Sequence, residues 1–117
     1  MLSIDFSVQK FAKNRIDENK NKFYRKEYKT LIRGLGPMII QNGLYGTLVF
    51  YISKGKDHHN AVVEDIRLYL ERINIVNANN NYDLLKKLEG EVYIQAQEKI
   101  LDFVNWYRRY ADIFIKE

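Results

Sequence analysis

Two adjacent histidines, His58 and His59, are the side chains of this sequence best suited to metal or proton chemistry. On a helix, neighbours point about 100° apart, so the two cannot easily face one ion. No HExxH and no Glu-x-x-His spacing accompanies them. Asp57 or Glu64 could in principle join a histidine, but the simpler reading is a pair of surface or first-turn residues. Glu64 and Asp65 are paired carboxylates, yet they are adjacent, whereas acid–base catalysis needs groups opposed across a cleft. The glycines at 34, 36, 43 and 46 build no phosphate loop: GxxxxGK(S/T) is absent, and the run RGLGP lacks GxGxxG. Cysteine is absent, which removes a thiolate metal site, a cysteine nucleophile and a disulfide scaffold together. The residues nominate no catalytic group, no metal and no cofactor, and the chain reads as a non-enzyme.

The positive charge is more informative. The chain carries a net charge of +4, unevenly spread. Residues 1–33 hold nine Lys and Arg against four Asp and Glu, and residues 34–56 add Lys54 and Lys56 with no acid. Residues 57–90 carry four basic against six acidic residues, and residues 91–117 four against five. A basic first half raises the expectation of a polyanionic partner. The alternative is a lysine-rich solvated surface.

The elements that must position these charges follow from spacing. A chain of 117 residues with 46% hydrophobic and 29% charged residues suits one soluble domain, spanning 1–117. No signal peptide is visible, and the apolar stretch 38–52 is too short and too interrupted to cross a bilayer. The absence of cysteine fits a cytoplasmic setting. Ile4, Val8, Phe11, Ala12 and Ile16 predict a helix over about 4–18, followed by a polar turn at 18–22. Tyr24, Tyr28, Leu31 and Leu35 form a second stripe. Pro37 predicts a kink or break, with Pro37 opening a largely apolar helix over about 37–53. Within it, Gly43 and Gly46 would let another backbone come close. That span is also rich in β-branched and aromatic residues, so a strand is the alternative. Gly55 closes it, and Asp57 is a candidate N-cap for a helix over about 58–73. The Asn-rich segment 74–81 reads as a loop, and Asn80 or Asn81 could cap a short helix with Leu84, Leu85 and Leu88. After Gly90 comes a long helix over about 91–115, burying Val92, Ala96, Ile100, Phe103, Val104, Tyr107, Ala111 and Phe114. The fold class is all-α: a compact bundle of five to six helices with a long C-terminal helix.

Placed on a helix, Tyr24, Tyr28, Leu31 and Leu35 fall within about 60° of one another. Lys22, Lys26, Lys29 and Arg33 share a comparable arc on the other side, with Glu27 the nearby acid. Such a face repels itself in the free protein, and a polyphosphate would relieve the repulsion and release counterions. The competing reading is that the lysines only solubilise the helix, or meet an anionic membrane or an acidic protein. A second possible contact is Arg108 and Arg109 beside Trp106, Tyr107 and Tyr110, since arginine and aromatics can grip phosphate and stack on bases. An aromatic stripe at helical spacing is more often core.

The stretch LIRGLGPMIIQNGLYGTLVFYISKGK, residues 31–56, carries a resemblance. It resembles the small all-helical subunit of the type III-B (Cmr) CRISPR effector complex, the fifth protein of the Cmr set. The matching pieces are Arg33, the break at Leu35, Gly36 and Pro37, the run Asn42, Gly43, Leu44, and the apolar helix ending at Phe50 and Tyr51. Tyr93, Phe103, Trp106, Arg109 and Ala111 match the family's last helix. Gly36 before Pro37 is a departure that loosens the break. The resemblance implies a non-catalytic subunit that stacks on copies of itself and on other Cmr subunits. Such subunits line the groove that holds guide RNA and target RNA in antiviral defence, while cleavage belongs to other subunits. Arg33 and Arg109 are the positions it places at the groove; Pro37, Asn42, Gly43, Leu44 and Trp106 look structural. The lysines at 22, 26 and 29 rest on the helical-face argument, and Arg108 on its aromatic neighbours. The small subunit of the related type III-A complex, a protein-interaction bundle without RNA contact, and a DNA-binding regulator are the alternatives. The last lacks a recognition helix.

Overall fold

The computed structural model describes residues 5–116, so Ile4 lies outside the described part. Among the described residues there are five helices and no strand: α1 (Ser7–Asn19), α2 (Arg25–Lys54), α3 (Asp57–Arg72), α4 (Asn81–Lys87) and α5 (Gly90–Phe114). The alternative of a strand in the Met38 region is thereby set aside. The punctuation is local chemistry. Gly55 adopts φ 67° and ends α2, with its N–H donating to the Tyr51 carbonyl at 3.2 Å. The Asn80 side chain accepts the Asp83 N–H at 2.8 Å and starts α4. Asp57, expected as an N-cap, is instead the first residue of α3, and Lys56 holds the cap position without a side-chain bond.

The largest departure from expectation is in α2. Pro37 neither breaks the helix nor opens a new one: it sits inside α2, exposed to solvent. Proline normally clashes with the Cβ of the preceding residue when that residue is helical. Gly36 has no Cβ, so the clash is absent, and the ring turns outward. The break falls six residues later, at Gly43, with φ 76° and ψ 162°, a region that is almost exclusively glycine's. Residues on α5 hold it open. The Leu44 N–H donates to Gln97 Oε1 at 2.8 Å, and the Tyr45 N–H donates to Tyr93 Oη at 3.1 Å. Tyr93 Oη in turn donates to Gln97 Oε1 at 3.0 Å, and Thr47 Oγ1 donates to the Gly43 carbonyl at 2.8 Å. What approaches Gly43 is therefore a side-chain clasp from α5, where a second backbone was expected. At Gly46 a Cβ would meet only the Asn42 Cβ of the same helix, at 3.5 Å.

Helices α2 and α5 run antiparallel, from Lys29 beside Ile115 at one end to Tyr45 beside Tyr93 at the other. Ile32, Leu35, Ile39, Leu44 and Leu48 of α2 are fully or almost fully buried. Across from them, Phe103 stacks between Tyr69 of α3 and Tyr107 of its own helix, each at 4.7 Å between ring centroids. Phe11 of α1 closes the cluster at 5.6 Å from Tyr69. On α5 the burial expectation holds for six positions; Val92 is exposed and Phe114 half-buried.

Among the described residues, one carboxylate lies in this core. Asp65, on α3, has no exposed surface. Its Oδ1 accepts from Arg15 Nε of α1 at 2.7 Å. Its Oδ2 accepts from Tyr107 Oη of α5 at 2.6 Å and from Tyr28 Oη of α2. The two hydroxyl oxygens are 3.0 Å apart, and Asn19 Nδ2 donates to Tyr28 Oη at 3.2 Å. Burial pushes the Asp65 carboxyl up to about 6, against the pull of Arg15 and the two hydroxyls. Burial, with the Asp65 charge behind it, raises Tyr28 and Tyr107 well above the ordinary tyrosine range.

Two outcomes follow for stability. Gly43→Ala forces a Cβ to 2.9 Å from Tyr93 Oη and a side chain into glycine-only backbone space. It should lower the unfolding free energy by about 1–3 kcal/mol in urea titration. For Asp65, the native carboxyl holds its proton to higher pH than the unfolded one. Its contribution to stability is therefore complete below the ordinary carboxyl value and is lost as pH rises through about 6. Urea unfolding from pH 4 to 7.5 should show the parent chain losing stability relative to Asp65→Asn; parallel profiles would refute the assignment.

Candidate nucleic-acid interface

The cations expected along the start of α2 are placed differently from one another. Lys22 precedes the helix, in the turn between α1 and α2, and is exposed. Lys26 is on the first turn of α2 and is exposed. Lys29 is buried, 6% exposed, and its Nζ donates to the Ile115 carbonyl at 3.0 Å. Arg33 Nε donates to Asp112 Oδ1 at 3.0 Å, with both side chains about half exposed (49% and 43%). The expectation of one continuous wet cationic face is thus corrected. The arc exists, but its middle packs on the end of α5. The physical reason lies in that end: the last turn of α5 contains no basic residue of its own. The carbonyls and negative dipole end of a helix attract cations, and here α2 supplies them. The buried side of α2 is correspondingly Tyr28, Ile32, Leu35 and Ile39, with Tyr24 and Leu31 half-buried.

Arg108 and Arg109 are both exposed, about 100° apart around α5. The Arg109 guanidinium carbon lies 5.7 Å from the centroid of the Trp106 ring. Trp106, Tyr110 and Phe114 run along one side of α5, with centroids 6.4 and 6.2 Å apart. Lys13 of α1 and Lys20, just after it, lie 4.9 and 5.9 Å from the Phe114 ring, and both pair with Asp17. Trp106 is half-buried against the core. Leu44 is fully buried, and Asn42 Nδ2 donates to the Met38 carbonyl at 3.3 Å inside its own helix. These positions and Gly43 form the bend of α2, and Pro37 lies on its outer surface.

A second group of basic residues, contiguous in the chain, lies where α2 turns into α3. Lys54 and Lys56 flank Gly55 and are exposed. His58 and His59 follow on the first turn of α3, with ring centroids 4.3 Å apart. His59 is buried and stands 5.5 Å from the Tyr51 ring. Burial lowers the tendency of His59 to take a proton, and the charges of His58, Lys54 and Lys56 lower it further. Among the described residues, no group of three or more His, Cys, Asp or Glu could hold a metal ion. Glu64 and Asp65 diverge: Glu64 is exposed and reaches Arg67 at 3.8 Å, while Asp65 points into the core.

The described residues contain no helix long and apolar enough to cross a membrane. The family described as CRISPR-associated protein (Cas_Cmr5) matches residues 5–114. The chain is 31% identical to the CRISPR system Cmr subunit Cmr5 of Thermotoga maritima, over 98% of this chain and 87% of that protein. It is 27% identical to the CRISPR system Cmr subunit Cmr5 of Thermus thermophilus, over 80% of this chain and 79% of that protein. No solved structure matches the chain at a significant level. With five helices in place, a match across all of them and two relatives of the same kind, the chain belongs to the Cmr5 family of CRISPR-associated proteins, whose members are structural, non-catalytic subunits.

Proposed function

We propose that this chain is, as a single domain, a helical subunit of a cytoplasmic Cmr-type CRISPR complex. It packs against other subunits and copies of itself, and helps line the groove for guide RNA and target RNA in antiviral defence. The family match carries the first half of this reading. One observation supports the second. Lys22, Lys26 and Arg108 are exposed, and no carboxylate among the described residues pairs with them. Arg33 and Arg109 stay partly open to solvent beside their partners. Backbone contacts of this kind need charge and shape without base reading, because base pairing between guide and target supplies the sequence.

A second reading, a protein-interaction subunit that never meets phosphate, has one observation of its own. Ile40, Tyr45, Val49 and Phe50 of α2 are exposed apolar side chains. They suit subunit contact under either reading.

Salt dependence separates the two. In the assembled complex, Lys22→Gln, Lys26→Gln and Arg108→Gln together should flatten the slope of log K for RNA against log salt by about 2–3, at roughly 0.7–0.9 per phosphate contact. Thermal unfolding should be unchanged, because all three side chains are exposed. Lys29→Met is the control. It should lower the thermal midpoint, since it removes the buried bond to Ile115, and leave the slope as it was. An unchanged slope in the triple variant favours the interaction-only reading.

A further inference from the structure

The turn between α1 and α2 lies beside the turn between α2 and α3. A cleft of about 460 Å³ opens between them, lined by Phe23, Tyr24, Glu27, Lys56, Asp57 and His58. That volume is within the range of small-ligand sites. Phe23 is the unusual member, 78% exposed although it sits in a well-built turn. The Lys22 N–H donates to the Asn19 carbonyl at 3.1 Å, and the Arg25 N–H donates to the Lys22 carbonyl at 3.1 Å. Tyr24 Oη donates to the buried Asn19 side chain. These bonds fix the backbone on both sides of Phe23, and the ring stands T-shaped to Tyr24 at 5.3 Å with most of its surface exposed. An aromatic ring presented this way is a preorganised stacking platform. Lys56 and His58 line the same cleft, Lys22 precedes the ring in the chain, and Lys54 is two residues from Lys56. Glu27 and Asp57 line it as well; they repel phosphate but accept hydrogen bonds, as a ribose 2′-hydroxyl or a base amino group requires.

We infer that this cleft takes one unpaired nucleotide of the bound RNA, its base stacked on Phe23 and its phosphate held by Lys22 and Lys56. The inference rests on the RNA reading above and narrows it to single-stranded RNA. Stacking platforms flanked by cations bind unpaired strands because every base has a π-face, whereas a duplex keeps its bases inside.

The test uses a uridine oligoribonucleotide carrying 4-thiouridine, with the full chain alone and in the assembled complex. Irradiation should crosslink the oligonucleotide to the peptide containing Phe23. Phe23→Ala should weaken single-strand binding by the full chain roughly tenfold and abolish that crosslink, while Phe23→Trp retains both. Lys56→Gln should flatten the salt slope by about 0.7. The ring is exposed, so the thermal midpoint of Phe23→Ala should stay at the parent value, which keeps a loss of binding from being a loss of fold. Unchanged affinity in Phe23→Ala with crosslinks elsewhere overturns the cleft and leaves the RNA reading standing. If the triple Gln variant above keeps its salt slope as well, the RNA reading itself fails.

Discussion

A carboxylate cut off from water must receive its hydrogen bonds from the fold, and Asp65 draws them from three other helices. Arg15 comes from α1, Tyr28 from α2 and Tyr107 from α5. A buried ion pair of this sort adds little net stability, because desolvation offsets attraction. Its effect is on register. Two tyrosine hydroxyls reach one oxygen only if α2 and α5 lie at one relative height, and the guanidinium reaches the other oxygen only if α1 is seated as well. Losing any one donor leaves a buried acceptor short, which costs about 1–3 kcal/mol. The placement of the cations follows from the same constraint. With Tyr28 fixed inward, Lys29 is rotated about 100° round the helix, into the seam beside the end of α5.

Much of the bundle was readable in the order of residues. Helical spacing marked α1, α3, α4 and α5 but divided α2 in two at Pro37, while Gly55, Asn80 and Gly90 marked helix ends within a residue or two. Two features were not readable, for physical reasons. The bend of α2 is at Gly43 rather than Pro37 because Tyr93 and Gln97, half a chain away, supply acceptors for the N–H groups freed there. Pro37 stays helical because its predecessor lacks a Cβ. In the sequence Asp65 stands only as one of two adjacent carboxylates, with no place assigned in the core. The signal that could have found it was its place between Val62 and Ile66 on the buried side of α3. For the candidate interface, the exposure of Lys26 was legible from periodicity, whereas Lys22 is exposed in the turn that precedes the helix. The burial of Lys29 was not legible, because a helix considered alone does not reveal which part of its polar arc a neighbouring helix end will occupy.

The surface is arranged in separate zones rather than around one deep site. Cations occupy the turns and the start of α2, an aromatic run with Arg109 follows the far side of α5, and exposed apolar side chains lie on the second part of α2. This division suits a family of structural, non-catalytic subunits. Acids such as Asp112 and Asp17 pair with part-exposed cations and moderate the positive charge of the surface.

The bend at Gly43 makes α2 two rods, about 27 Å and about 16 Å long at 1.5 Å per residue. Their mutual angle is not stored in either rod. Tyr93 and Gln97 set it, as a bracket sets the angle of a joint, while Thr47 latches the shorter arm. The outline the molecule offers to a neighbour is therefore governed by two side chains on a different helix. Freeing that bracket would turn a rigid elbow into a swivel while leaving every exposed residue unchanged.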